Sequence, residues 1–265
     1  MTDEHEFGTD AWCIVERELH LDRLAHLESL FALSNGHIGL RGNLDEGEPH
    51  AVPGTYLNGF FETVPLPYAE VGYGYPEDGQ TLIDVTNGKI MRLLVDDEPF
   101  DVRYGTLTHH ERVLDMRHGL LDRRVQWTSP ARQSVAIRST RLVSFVQRAI
   151  VAIRYEVQAV DAAARVVLQS SLVANEPVPT RTADPRAAAA LDQPLVADFH
   201  THHDVEVALG HHTRVSGLRM AAALDHLVDG PDGTVTACES DPDLARVTVT
   251  TELQPGDTLT VVKLL

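Results

Sequence analysis

The chain has 265 residues, 43% of them apolar, and carries 39 acidic against 22 basic side chains for a formal charge of −17. A surface so acidic repels phosphodiester backbones and anionic lipid headgroups, so nucleic acid and membrane partners are excluded as expectations, and no run approaches the roughly eighteen apolar residues of a membrane span. Two distant cysteines, Cys13 and Cys238, outside any metal-binding spacing, and an acidic opening MTDEHEFGTD with no apolar segment predict a reduced, cytoplasmic chain without a signal peptide.

Glycine (18) and proline (14) punctuate the chain about once every eight residues, which suits many short strands and disfavours long helices. Trp12 to Leu19 alternates as a first strand, followed by a turn at His20-Leu21-Asp22. From Glu28 to Asn43 the chain reads ESLFALSNGHIGLRGN. Its apolar run stops at Asn35-Gly36, which predicts a hairpin with a type I′ turn, and Ile38 and Leu40 alternate on the returning arm. Glycines at 36, 39 and 42 offer tight turns or close backbone approach.

Thr55 to Phe61 reads as one strand, and Val64 to Gly79 as a long loop holding Tyr68, Tyr73 and Tyr75 among prolines and glycines. A second Asn-Gly hairpin is predicted at Thr86-Asn87-Gly88, between Leu82–Val85 and Lys89–Val95, with another turn at Asp96 to Pro99. Paired strands follow: 107–116 with 120–127, then 133–145 with 148–157, the latter placing Val151, Ile153, Tyr155 and Val157 on one face. After a strand at 165–173, residues 174–193 read as a loop excursion around Ala187 to Ala190. The β pattern resumes at 195–202, 205–209, 214–224, 234–238, 244–251 and 258–265. About sixteen strands with hardly any helix and no fixed repeat predict one large antiparallel sandwich over residues 1–265.

Four ordered blocks carry a resemblance. Glu28 to Gly42 has the pattern E-S-L-F-A-L-x-N-G-x-x-G-x-R-G. It is followed by Gly54-Thr55-Tyr56-Leu57-Asn58-Gly59, by Arg112 to Leu121, and by Arg123 to Trp127 with Arg141 to Ser144. Together, over residues 12 to 175, they resemble the N-terminal domain of glycoside hydrolase family 65, the family of maltose, trehalose and kojibiose phosphorylases and related α-glucoside hydrolases. A glutamate pair usual after the R-G-N-x element is only partly matched, by Asp45 and Glu46. The resemblance implies an all-β super-sandwich of the galactose-mutarotase-like type, preceding linker helices and an (α/α)6 catalytic barrel that lies outside this chain. It also implies docking on that barrel, a homodimer, an α-glucoside disaccharide as substrate, and inorganic phosphate as co-substrate if the enzyme is a phosphorylase. The apolar end Thr260 to Leu265, a strand without a polar tail, fits an excised N-terminal domain.

Catalytic residues of such enzymes lie in the barrel, so none is assigned here and the fragment is expected to be inert. Glu28, Glu46, Glu48, Glu62 and Glu70 lie among glycines and aromatics, but no spacing pairs any two as acid and base, and solvated loop charge is the simpler reading. Tyr68, Tyr73 and Tyr75 are the candidates for the rim of a sugar pocket, because aromatic faces stack on the C–H face of pyranose rings; packing back on the sandwich is the plainer alternative. His200 and His202 alternate with Asp198 on one strand face, near His211 and His212, and are candidates for adventitious metal only. The surrounding stretch, 192–245, holds ten acidic and two basic residues and reads as a wet acidic face. No resident cofactor is expected, and Gly36-x-x-Gly39-x-x-Gly42 precedes no helix that would make it a phosphate cradle. The competing functions are a free-standing carbohydrate-binding module, betrayed by disaccharide affinity, and a metal-dependent β protein, betrayed by ordered ligands.

Overall fold

The computed structural model describes residues 11–66, 72–177, 191 and 193–265. Tyr68, Glu70 and the alanine run 187–190 lie outside them. In chain order the elements begin with β1 (Cys13–Glu16), a 3-10 turn (Leu21–Arg23), α1 (Leu24–Leu30), β2 (Leu33–Ser34), β3 (Ile38–Leu40) and β4 (Thr55–Leu57). Then come β5 (Phe61–Pro65), β6 (Asp78–Leu82), β7 (Met91–Val95), β8 (Glu98–Pro99), β9 (Thr106–Asp115), β10 (Leu120–Thr128) and β11 (Ser134–Val143). The rest are β12 (Val151–Ala159), β13 (Ala164–Val173), β14 (Leu195–His203), β15 (Glu206–Thr213), β16 (Arg219–Asp229), β17 (Val235–Asp241), β18 (Leu244–Leu253) and β19 (Thr258–Leu264).

Two antiparallel sheets make the sandwich. One has nine strands in the order β1-β9-β10-β11-β12-β19-β16-β15-β14; the other has five, β17-β18-β13-β7-β8. Alternation decides which side chains lie between them. On β12 the predicted face of Val151, Ile153, Tyr155 and Val157 is fully buried, and on β10 Leu121, Val125 and Trp127 point the same way. These pack against Met91, Leu93 and Val95 of β7 and Val166 and Leu168 of β13 in one continuous core. At roughly 1.5–3 kcal/mol for each large apolar side chain taken out of water, this interface dominates the stability of the fold. The all-β, nearly helix-free super-sandwich read from the sequence is the architecture observed.

Local departures have identifiable causes. Leu24–Leu30 is a helix, because Leu24, Leu27, Glu28 and the adjoining Phe31 share one buried face at helical spacing, and only Leu33–Ser34 is strand before Asn35. The Asn35-Gly36 hairpin exists, pairing Leu33 with Leu40 and Ser34 with Gly39, but its turn is not type I′. Only Gly36 has positive φ, at 82°, while the Asn35 carboxamide oxygen accepts from the His37 and Ile38 amides and holds a longer loop. Asn87-Gly88 makes no hairpin. Asn87 instead exchanges both backbone hydrogen bonds with Val173 of β13, and the stretch 83–90 runs buried across the sandwich. The type I′ geometry appears at Asp96-Asp97, where φ is 48° and 67°. Residues 55–61 divide into β4 and the start of β5. The loop from Val64 is shortened because β5 and β6 pair from Phe61–Leu82 to Pro65–Asp78. Residues 214–218 form a turn, so the strand predicted at 214–224 begins at Arg219.

Candidate functional site

The inner face of β9, β10, β11 and β19 is apolar toward one end of the sandwich and charged toward the other. There Arg112, Arg123, Arg141 and Lys263 are all buried, and the segment 41–54 lies over them. Asp45 is the hub. One of its carboxylate oxygens accepts from Arg141 Nη2 at 2.8 Å, and the other accepts from Ser139 Oγ at 2.6 Å and Arg123 Nη1 at 3.3 Å. Glu46 takes the Arg123 guanidinium in a two-pronged contact at 2.5 and 2.8 Å. Glu16 on β1 accepts from Arg112 Nε at 2.5 Å and from His110 Nε2 at 3.1 Å. Arg112 also donates to the Gly42 carbonyl at 2.9 Å and lies over the Phe31 ring, 4.6 Å from its centroid. Burial pushes the Asp45 carboxyl up, but Arg141, Arg123 and Ser139 outweigh it and hold it below the usual carboxylate range. Glu16 shows the same balance, with burial overcome by His110 and Arg112.

Two buried lysines complete the layer. Lys89 Nζ reaches the carbonyls of Pro53 and Gly54 at 2.8 and 3.1 Å and Thr55 Oγ1 at 2.6 Å. Burial, reinforced by Arg141, lowers its pKa to about 7. Lys263 Nζ donates to Ile90 and Ser171 carbonyls, and burial depresses it strongly. These contacts tie the segment 41–54 and the stretch 83–90 to the large sheet. Every carboxylate in the layer is engaged by a fixed donor inside the protein, so the layer works as a clasp between these segments.

Glu28 and Glu62 behave similarly, buried and fixed by backbone amides rather than solvated. The Glu28 carboxylate accepts from the Ala51 and Val52 amides at 2.8 and 3.2 Å and pairs with Arg41 at 3.4 Å. Glu62 accepts from Val215, Ser216 and Thr63 amides, fastening the turn before β16 to β5, and these bonds overcome burial to lower its pKa. Glu48 is exposed beside Arg103.

A groove of about 720 Å³ opens where β19 ends, lined by Ile38, Leu57, Val85, Ala149, Ile150, Leu264, Leu265 and Met220 to Asp225, with residues of β14 and β15 beyond. Among the described residues its side-chain carboxylates are those of Glu206 and Asp225. The register places them side by side, one step beyond the Val207–Leu224 pair, so they cannot flank a glycosidic bond from opposite faces. Beside the groove, the turn joining β11 to β12 projects Phe145 and Val146, 72% and 88% exposed, into solvent.

Tyr73 and Tyr75 are both exposed; the Tyr75 ring lies over Gly72 while Tyr73 stands wholly in solvent. His200 and His202 do share a face: their Nδ1 atoms lie 3.1 and 2.9 Å from Ser240 Oγ on β17. Asp198 is engaged elsewhere, with His212 Nδ1 at 2.7 Å, and buried His211 bonds Asp243. Among the described residues no three His, Cys, Asp or Glu side chains converge as a metal site.

The arginines of this clasp, with Glu28 and Gly42, all come from the four sequence blocks, and a family model described as "Glycosyl hydrolase family 65, N-terminal domain" matches residues 14–265. The chain belongs to glycosyl hydrolase family 65. It is 56% identical over its whole length to uncharacterized glycosyl hydrolases of Mycobacterium tuberculosis and Mycobacterium leprae, covering 34% of each. It is 30% identical over 261 residues to the α,α-trehalose phosphorylase of Thermoanaerobacter brockii, covering 96% of this chain and 34% of that one. The fold matches a human-microbiome chain described as a candidate kojibiose phosphorylase, with a TM-score of 0.84 at 19% identity, over 98% of this chain and 32% of the other. The chain thus spans about a third of the length of the relatives it matches and corresponds to the N-terminal domain of this family. Asp45, noted in the sequence only as part of an incompletely matched glutamate pair, is the centre of the clasp. Its signal was the matching set of arginines at 112, 123 and 141, all on inward-facing strand positions.

Proposed function

We propose that this family 65 chain is the non-catalytic N-terminal domain of an inverting phosphorylase or hydrolase acting on α-glucose disaccharides such as trehalose, maltose or kojibiose. Its work is to dock the catalytic barrel, assemble the homodimer and shape the rim of the active site. The observation that carries this reading is the match itself: an N-terminal family model fills the chain, which spans a third of its relatives. The arrangement of carboxylates supports it, since each of those of the clasp is ion-paired with a buried arginine and those of the groove lie side by side. Exposed Phe145 and Val146 support a docking role, and exposed Tyr73 and Tyr75 support a place for the latter two, with Tyr68, at the rim. Inorganic phosphate is the co-substrate if the enzyme is a phosphorylase, and a chain with only two cysteines, far apart in sequence at 13 and 238, favours a cytoplasmic setting. No helix among the described residues is long and apolar enough to cross a membrane.

The test compares the full-length protein with residues 1–265, supplying trehalose, maltose and kojibiose with and without phosphate. Glucose or a glucose phosphate is expected from the full-length protein alone, and turnover by the fragment would overturn the reading. The exposed tyrosines favour one alternative, a free-standing carbohydrate-binding module. Calorimetric titration of the fragment with the same sugars separates the two, because the module binds without its neighbour and the rim residues by themselves do not.

A further inference from the structure

The strand β16 is paired unevenly. Its second half, Asp225 to Asp229, pairs with β19, while its first half, Arg219 to Leu224, pairs on the other side with β15. Among the described residues the first half has no partner on the β19 side. Backbone donors and acceptors along such an edge are a template for another strand. The edge borders the groove, and so does the end of β19: Leu264 is opposite Asp225, and Leu265 exchanges both backbone hydrogen bonds with Val151.

We propose that in the full-length protein the residues directly after Leu265 continue β19 along this edge of β16 and fill the groove. This rests on the reading above, that the chain is the N-terminal part of a longer enzyme. Register makes the placement specific. The pair Leu264–Asp225 advances antiparallel to set position 266 against Ala223, 267 against Ala222 and 268 against Ala221. Alanines at 221, 222 and 223 leave the floor low, so an added strand meets no bulky side chain from this edge. The opposite wall, with Ile38, Leu57 and Val85, is apolar and suits side chains leaving water. A second copy is the weaker occupant, because the continuing segment starts one residue from the edge and its effective concentration there exceeds that of a separate molecule. The segment would thus fix the direction in which the chain leaves the sandwich toward the barrel.

The test uses full-length protein with Cys13 and Cys238 replaced by serine. A223C with a cysteine at position 266, and A222C with a cysteine at 267, are on register, whereas A221C with a cysteine at 266 is displaced by two residues. At least one on-register pair is expected to form an intramolecular disulfide on mild oxidation, with the displaced pair staying reduced, because directly opposed β-carbons come within bridging range and diagonal ones do not. A photo-crosslinking residue at Ala223 guards against a cysteine variant that misfolds, and its adducts should map to positions 265 to 270. Oxidation of the displaced pair alone, absence of any bridge with no adduct near position 266, or adducts to a second subunit would overturn the placement. Adducts to a distant part of the same chain would also overturn it, yet leave the docking role of the domain standing. Disaccharide turnover by residues 1–265 alone would instead remove the reading on which it rests.

Discussion

The clasp around Asp45 and the groove beyond Leu264 are two ends of one sandwich, and they are finished to different degrees. In the clasp, three buried arginines meet three buried carboxylates at 2.5 to 3.3 Å, and two lysines close the gap with backbone carbonyls. At the groove, alanines and a half-paired strand face open space, next to a turn that exposes Phe145 and Val146. The first end joins its arginines and carboxylates to one another and to backbone carbonyls and makes the domain cohere. The second leaves apolar surface and a backbone edge without a partner among the described residues.

The clasp is where a substitution should cost most. Asp45→Ala strands Arg141 and part of Arg123 in a buried site, and breaking a buried ion network from one side costs about 3–5 kcal/mol. The urea midpoint should fall accordingly, while a change of under about 1 kcal/mol would show that the cluster is wetter and weaker than its contacts imply. Gly42→Ala ranks next. A β-carbon there would lie 2.6 Å from both the carbonyl oxygen and the β-carbon of Phe31, and the Gly42 carbonyl would be pulled off Arg112. Overpacking of this kind costs about 1–3 kcal/mol. Gly39→Ala, whose β-carbon would meet nothing nearer than 3.8 Å, is the matched control and should be near neutral.

Lys89 gives the comparison a pH axis. Its pKa is about 7 when folded, against 10.5 for the free side chain, so between these values the unfolded chain holds a proton that the folded one has shed. Raising the pH therefore favours the folded state. The contribution is complete above the unfolded pKa and lost as the pH falls through about 7. The slope from this one group is at most about 1.4 kcal/mol per pH unit. Urea unfolding at pH 7, 8 and 9 should show a shallower rise in Lys89→Met than in the parent, with Lys263 supplying what remains. Parallel profiles would mean that Lys89 keeps its proton in the folded chain.

How much of this was legible in the sequence follows from which signals are local. Strand alternation on β9 to β13 is local, and those elements were placed within a few residues. The hidden helix was spoiled by one residue: Glu28 fills an apolar slot because its carboxylate is satisfied by the distant Ala51 and Val52 amides. Asn87-Gly88 carries the hairpin signature but is captured by Val173, 86 positions away, a contact no local rule sees. The clasp was half visible. Its arginines stood in the recognised blocks, yet their partners, Glu16, Asp45 and Glu46, lie up to 96 positions distant. The groove was invisible, since its walls come from segments as far apart as Ile38 and Ala223.

Tyr73 sharpens the contrast at its weakest point. Because its ring stands clear of the protein, Tyr73→Ala should change stability by less than about 0.5 kcal/mol, the range of surface substitutions that break no specific contact. If the ring stacks on a sugar at the rim, the same change in the full-length enzyme removes an interaction worth about 1 kcal/mol to bound substrate and transition state alike. KM for the disaccharide should then rise by roughly fivefold with kcat unchanged, the signature of lost uniform binding. An unchanged KM with unchanged stability would take Tyr73 out of the rim. A lower melting temperature would show the tyrosine packing on some part of the full-length protein, and would move it from the receiving side of the comparison to the self-sufficient one.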